Sequence, residues 1–428
     1  MPFHFYLETY GCSLNMADSD MIVGHLHHLG FQQVDSADSS DIIILNSCGV
    51  KEPTEDKIIS RLETLSSSQV PVVITGCLPR ISFKRIAKAI PNYGAILGPQ
   101  SLHSLGPIVE KVVQGDRGIV HIETDSESKL KFFEGPRGSM ICTVPICEGC
   151  MGNCAYCAVR FARTNVRSYK ISELMEVVKR CVHLGYREIR LTAQDVGVFG
   201  HESGEALIDL LDQVATIPGV HRFRLGMFNP NLVMDKLDPL VDVLSSERFF
   251  RFFHIPLQSG SDTVLKAMKR KYTVSEWKSV VAAFTNRFPE ITIATDIIVG
   301  FPGETDKDFE ETLKVLRETR PSVINISKYG DRPGTAASKS PNKVKTSIKK
   351  QRSRVLTEVA DELAREANRS WIGWKGPILV TGNMRSGQLQ GRTHTYKPVL
   401  LIDGAPTDSV LNVEIIDAKK THLVGATL

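Results

Sequence analysis

The chain lacks an apolar run long enough to cross a bilayer. Stretches such as residues 41–45 and 291–301 are too short or too interrupted for the roughly 20 residues a spanning helix needs. No secretory leader is expected, because the first ten residues carry Glu8 and no apolar core with a small-residue cleavage site. It also lacks a strong charge of either sign: 52 Lys+Arg against 48 Asp+Glu leave +4. That balance permits a nucleic-acid partner without requiring one. With 42% hydrophobic and 23% charged residues, it has none of the bias of a disordered tail, a collagen or a coiled-coil rod. What remains is the expectation of a globular cytoplasmic chain whose 428 residues suffice for two or three domains.

Nine cysteines are present. In a reducing compartment they are expected as metal ligands or nucleophiles rather than disulfides. Cys12, Cys48 and Cys77 stand far apart, and each follows a run that reads as a strand. Residues 4–10, 41–45 and 70–75 lead respectively to Gly11-Cys12, Asn46-Ser47-Cys48 and Gly76-Cys77. Helical patterns separate them: 18–29, closed by Gly30, and 54–65, opened by Pro53-Thr54-Glu55-Asp56. The βαβαβ order predicts a parallel sheet, whose ligands collect at the carboxyl ends of the strands. The three cysteines are therefore expected to converge. Three unrelated core cysteines are the bland alternative, but a core cysteine sits within a strand rather than past its end. Residues 115–138, charged and closing on Gly135-Pro136-Arg137-Gly138, read as a linker to a second domain.

A compact cluster follows, from Cys147 to Cys157, and contains C-x3-C-x2-C as Cys150, Cys154 and Cys157. Three thiolates this close suit one face of a 4Fe–4S cube, whereas ordinary electron carriers use four. The fourth iron is left open to hold a substrate. Gly149 and Gly152 allow a tight loop. Zinc is the alternative, since Cys147 brings the thiolates to four. Structural zinc, however, usually takes two separated knuckles, and here the pairs almost abut.

C-x3-C-x2-C with Tyr156 before its last cysteine resembles the radical S-adenosylmethionine enzymes. The resemblance implies that the open iron binds S-adenosylmethionine. Cleavage by one electron then yields a 5′-deoxyadenosyl radical that takes hydrogen from a C–H bond. The rest of the region supports a barrel. Strand-like runs at 140–145, 188–192, 222–227, 252–257, 291–299 and 323–327 alternate with helical patterns at 171–184, 206–215, 277–288 and 309–318. Six repeats make an incomplete barrel, with its site at the carboxyl ends of the strands. Tyr156, Gln194, Asn229, Gln258 and Asp296 are the candidate cofactor contacts.

The wider set of motifs resembles the methylthiotransferase family over nearly the whole chain. These are Thr9-Tyr10-Gly11-Cys12-Ser13-Leu14-Asn15 with Asp18-Ser19; Asn46-Ser47-Cys48 with Glu52; Thr75-Gly76-Cys77; Glu148-Gly149-Cys150 through Cys157 with Ala162-Arg163; His254 to Ser261; and Thr295 to Thr305. The chain departs from the family pattern where Thr164 follows Arg163 and where Gly330-Asp331 precedes Arg332-Pro333-Gly334-Thr335. The resemblance implies an α/β fold in three parts. An N-terminal parallel-sheet domain spans 1–115, an incomplete (β/α)6 radical S-adenosylmethionine barrel spans 136–366, and a small TRAM-like β-barrel spans 367–428. It implies two 4Fe–4S clusters, one on Cys12, Cys48 and Cys77 that delivers sulfur, and one on Cys150, Cys154 and Cys157. It also implies an electron donor, a sulfur source and no membrane.

The tail reads as five short strands at 378–381, 389–391, 398–402, 411–418 and 422–424, a small barrel of the oligonucleotide-binding sort. Arg385, Arg392, His394, Tyr396 and Lys397 are candidates for phosphate contacts and base stacking. Residues 343–354 hold Lys343, Lys345, Lys349, Lys350, Arg352 and Arg354 without an acid; a solvated helix face is the competing reading. Gly391-Arg392-Thr393 through Pro398 resembles the branch of the family that modifies tRNA. The stretches 7–12, 21–24 and 51–56 resemble its archaeal and eukaryotic members. That branch implies methylthiolation at C2 of N6-threonylcarbamoyladenosine beside the anticodon. Isopentenyladenosine in tRNA, or an aspartate of a ribosomal protein, is the alternative substrate. A non-catalytic iron–sulfur RNA-binding protein is the alternative class.

Overall fold

The run from Ile42 to Ser47 is buried at every position, as a central strand covered by helices on both faces must be. In the computed structural model, which describes residues 2–123, 127–383, 388–402 and 409–428, it lies near the middle of a six-stranded parallel sheet. The strand order is Gln32–Gln33, His4–Thr9, Ile42–Ser47, Val72–Gly76, Ala95–Leu97, Ile119–His121. Thr9 pairs with Asn46, and Asn46 with Thr75, so three strands end level with one another. Helices Ser13–His28, Glu52–Leu65 and Leu78–Ala89 follow those strands almost at once.

The stretch read as a linker is part of this fold. Ile119–His121 is the sixth strand, paired with Ala95–Leu97. Lys129–Phe132 forms a 3-10 turn whose Lys129 and Leu130 are buried. A strand of three residues is too short to show periodicity, and one of the charges in this segment, Lys129, has a buried ammonium.

Six parallel strands form the core of the central region in chain order. Ile141–Pro145, Glu188–Thr192 and Arg222–Leu225 make one sheet, and Phe252–His254, Thr292–Val299 and Val323–Lys328 a second. A bridge between Phe223 and Phe249 and the bond from Phe228 N–H to the His254 carbonyl link the two, giving the open barrel expected. Capping boxes at Thr273 with Glu276 and at Thr305 with Asp308 start two of its helices. Cys142 and Cys181 are buried here with their sulfurs 2.9 Å apart; no cysteine is in a disulfide.

After the helix Thr346–Arg369, the strands Lys375–Asn383, Leu389–Arg392, Pro398–Leu401, Val410–Ala418 and Leu423–Thr427 close into a five-stranded barrel. Ile378, Val380, Val399, Val413, Ile415 and Leu423 fill it.

The chain divides into two compact units. One is Met1–Arg137 with Cys147–Val177 and Gly330–Ser338; the other is Gly138–Ile146, Val178–Tyr329 and Lys339–Leu428. Both sets of three cysteines belong to the first unit.

Candidate functional site

The level strand ends set the first triad. Cys12 and Cys77 occupy the N-cap positions of helices Ser13–His28 and Leu78–Ala89, near the positive ends of two helix dipoles. Asn15 ties the exits together. Its Nδ2 donates to the carbonyls of Ser47 at 2.9 Å and Tyr10 at 3.2 Å. Its Oδ1 faces both the Cys12 sulfur at 3.6 Å and the Cys77 sulfur at 3.9 Å. The Val50 N–H points to the Cys48 sulfur at 3.5 Å. Gly11 has φ +133°, and a Cβ there would press on Asn15 and Cys48. Cys12 is exposed, while Cys48 and Cys77 are buried. Burial pushes the Cys77 thiol up to about 11, and the Arg163 guanidinium pulls it the other way by charge and hydrogen bond.

The second triad is local. A two-residue strand Cys147–Glu148 pairs with Arg167–Ser168 and pins the base of the loop. Gly149 has φ +83°, and a Cβ there would run into the Asn165 carbonyl. Gly152 donates its N–H to the Cys150 sulfur at 3.2 Å, and its bare Cα faces the sulfurs of Cys150 and Cys154. Burial raises the Cys157 thiol, against N–H groups of Arg160 and Val159 that favour the thiolate. All three sulfur-bearing residues are half-buried.

These donor sets fit iron–sulfur groups: thiols alone, N–H groups on sulfur, and glycine where a Cβ would fill the space. Among the described residues, no three His, Cys, Asp or Glu are set around a single metal ion. A multi-iron cluster holds its thiolates farther apart than one tetrahedral zinc does.

Five ionisable side chains are buried beside the triads, all in the first unit. Arg163 donates to Glu148 at 2.6 Å and to Asp18. Lys129 bonds Glu148 at 2.5 Å and Asp18 at 2.8 Å. The Tyr169 hydroxyl donates to Glu148 at 2.7 Å. Burial alone would raise the Glu148 carboxyl; Lys129 and Arg163 outweigh it and hold it at about 2. Two carboxylates against two cations make the group neutral, which is how so many charges tolerate full burial. Sequence reasoning noticed Asp18, Glu148 and Arg163 only as motif letters and missed Lys129; the acids and arginine flanking the cysteines were the available signal.

The expected cofactor contacts divide between the units: Tyr156 is in the first, the other four in the second. Gln194, Asn229 and Gln258 follow three different strands, whereas Asp296 lies within Thr292–Val299. Gln258 adopts φ +70°, with its N–H on the Asp296 carbonyl. Asn229 is held from both sides, donating to Asp195 at 2.5 Å and accepting from Arg270. Asp195 is fully buried, and burial raises its carboxyl despite the Asn229 hydrogen bond. Asp296 accepts from Asn325 and contacts His254, each at 2.9 Å.

Of the residues expected to face RNA, Arg385 lies outside the described residues. Tyr396 is largely buried: its hydroxyl donates to Glu188 and its ring packs on Phe250 and Phe252. Lys397 donates to Asn368 at 2.7 Å, and burial lowers its amine to about 8. Arg392 is 14% exposed beside Glu188. His394 is within 2.8 Å of Glu290. These polar side chains anchor the small barrel to elements of its own unit. In the basic stretch, Arg352 is buried on Glu304 and Asp306, while Lys343, Lys345, Lys350 and Arg354 are exposed.

Residues 144–316 match the radical SAM superfamily, and residues 4–98 match the uncharacterized protein family UPF0004. In backbone the chain is similar to the radical S-adenosylmethionine methyltransferase TsrM from Kitasatospora setae. The TM-score is 0.59 at 13% identity, covering 79% of this chain and 77% of that one. It is also similar to the cobalamin-dependent S-adenosylmethionine radical enzyme OxsB, with TM-score 0.54 at 12% identity, covering 84% of this chain and 56% of that one. By sequence it is 37% identical to a probable threonylcarbamoyladenosine tRNA methylthiotransferase of Pyrococcus abyssi, over 99% of both chains. A counterpart described in the same words from Methanothermobacter thermautotrophicus is 39% identical over 98% of both. The mouse threonylcarbamoyladenosine tRNA methylthiotransferase is 33% identical over 98% of this chain and 73% of its own length. With identity of this degree over nearly the whole chain, the chain belongs to the threonylcarbamoyladenosine tRNA methylthiotransferase family.

Proposed function

We propose that this chain inserts a methylthio group at C2 of N6-threonylcarbamoyladenosine beside the anticodon of tRNA. The observation that carries this reading is the pair of three-thiol sites within one compact unit, each one thiolate short of a closed set. Bound there, two 4Fe–4S clusters with S-adenosylmethionine supply radical formation, methyl donation and sulfur delivery. Cys150, Cys154 and Cys157 hold the first of these; Cys12, Cys48 and Cys77 hold the second.

The protein's own part is to hold and orient. Asp195 and Arg270 fix the Asn229 amide from both ends, leaving it one N–H and one lone pair for a ligand. Asp296 is oriented by His254 and Asn325. With Tyr156, Gln194 and Gln258, these residues contact S-adenosylmethionine. The tRNA contact belongs to the C-terminal barrel and the basic helix before it. Arg385 and Arg392 remain its arginines in this reading, and the exposed Lys343, Lys345, Lys350 and Arg354 add cations. Tyr396 and Lys397 support that surface from within. Among the described residues, no helix is long and apolar enough to cross a membrane. We place the reaction in the cytoplasm, with an electron donor and a sulfur source as partners.

The test is mass spectrometry of tRNA nucleosides after reaction of reconstituted protein with dithionite, S-adenosylmethionine, sulfide and threonylcarbamoylated tRNA. The methylthio nucleoside is the expected product. Formation of 5′-deoxyadenosine with no methylthio nucleoside would sink the substrate assignment.

A further inference from the structure

Arg163 is fully buried, and its three donor nitrogens are used unequally. One terminal nitrogen holds Glu148, two residues before Cys150, and the other holds Asp18, in the helix capped by Cys12. Its Nε has no hydrogen-bond partner among the described residues. A buried guanidinium N–H without a partner is destabilising, so one in a native fold calls for an explanation. The guanidinium lies against Cys77, which is 3% exposed and belongs to the first triad. Lys129 repeats the link to Asp18 and Glu148, while Arg163 is the strongest cationic influence on Cys77.

We propose that Arg163 is a positioning residue shared by both triads: its terminal nitrogens tie the two cysteine frameworks together, and its Nε–H is reserved for sulfur at the Cys77 corner of the Cys12–Cys48–Cys77 site. This rests on the two-cluster reading above. A donor and a positive charge at that corner stabilise the more negative, reduced form of the cluster. Removing them makes the cluster harder to reduce without changing which thiols hold it. A merely structural arginine would affect stability and leave the potential alone.

The experiment uses the full chain with Cys150, Cys154 and Cys157 all changed to alanine, so that one site gives the signal. Iron and sulfide analysis of this parent comes first: a parent that takes up no cluster overturns the two-cluster reading, and the Arg163 proposal with it. With the cluster present, its reduction potential is measured by titration with electron paramagnetic resonance detection in the parent, Arg163→Met, Arg163→Lys and Tyr169→Phe. The expected result is a more negative potential in Arg163→Met at unchanged iron content. Arg163→Lys, which keeps the charge and loses the fork, falls between it and the parent. Tyr169→Phe, which removes a bond to Glu148 and leaves Arg163 in place, matches the parent. Should Arg163→Met not fold, Arg163→Lys against Tyr169→Phe decides. Equal potentials in parent, Arg163→Lys and any folded Arg163→Met overturn the proposal.

Discussion

The two cysteine triads hold the same number of thiols and are built in opposite ways. Cys150, Cys154 and Cys157 come from one loop, pinned by a two-residue strand pair and shaped by glycines that only their own loop requires. Cys12, Cys48 and Cys77 come from three strands and depend on the register of a sheet and on Asn15 reaching across three exits. A loop triad can be damaged alone. A sheet triad shares its fate with the fold. The buried Asp18–Lys129–Glu148–Arg163 group is where the two modes of construction meet.

The contrast is sharpest in chemistry. Cys150→Ala should abolish 5′-deoxyadenosine formation. Cys12→Ala should leave it near the wild-type rate and remove methylthio insertion, both read by chromatography of one reaction. Equal loss of cleavage in the two would erase the division of labour. Next in size is Lys129→Met, which leaves Asp18 and Glu148 sharing one cation. Breaking a buried ion pair this way costs about 3–5 kcal/mol, measured by urea unfolding, and both triads should lose iron together. Gly76→Ala and Gly149→Ala should then separate the sites. Gly76 sits at φ +92°, where a Cβ would meet the Ser47 carbonyl in the sheet, so about 2–4 kcal/mol of global stability should go. Gly149→Ala should remove iron from the loop while the melting temperature stays close to wild type; a matching global loss would break the comparison. The smallest effect is expected from Asn15→Ala, about 1–3 kcal/mol for the Tyr10 carbonyl left unpaired, with iron lost from the sheet triad alone.

Much of the fold could be read from the sequence because its signals are local. Apolar runs ended at cysteines, strands alternated with amphipathic helices, and the tail broke into five short strands. The first helix begins at Ser13 rather than residue 18, because its first turn buries Leu14 and Asn15, and Asn15 gives no apolar signal. The cysteine triads were legible as spacing. The side chains that orient them were not, since Lys129 and Arg163 look like ordinary surface cations until the fold buries them against acids distant in sequence. The same default placed Tyr396 and Lys397 on an RNA surface. Nothing local reveals that the Tyr396 hydroxyl finds Glu188, more than two hundred residues earlier.

The unit that holds both triads is assembled from three separated pieces of chain, the last being Gly330–Ser338. That piece brings Arg332 to Glu55, a side chain 1% exposed, at 2.5 Å. On the ribosome, Glu55 emerges long before its partner. At typical elongation rates the gap between residues 137 and 338 is on the order of 10–40 s. The cysteines of both triads are thus made early and housed late. A fragment ending at Arg137 would carry the first triad without Arg163, which lies beside Cys77, and without Arg332 on Glu55.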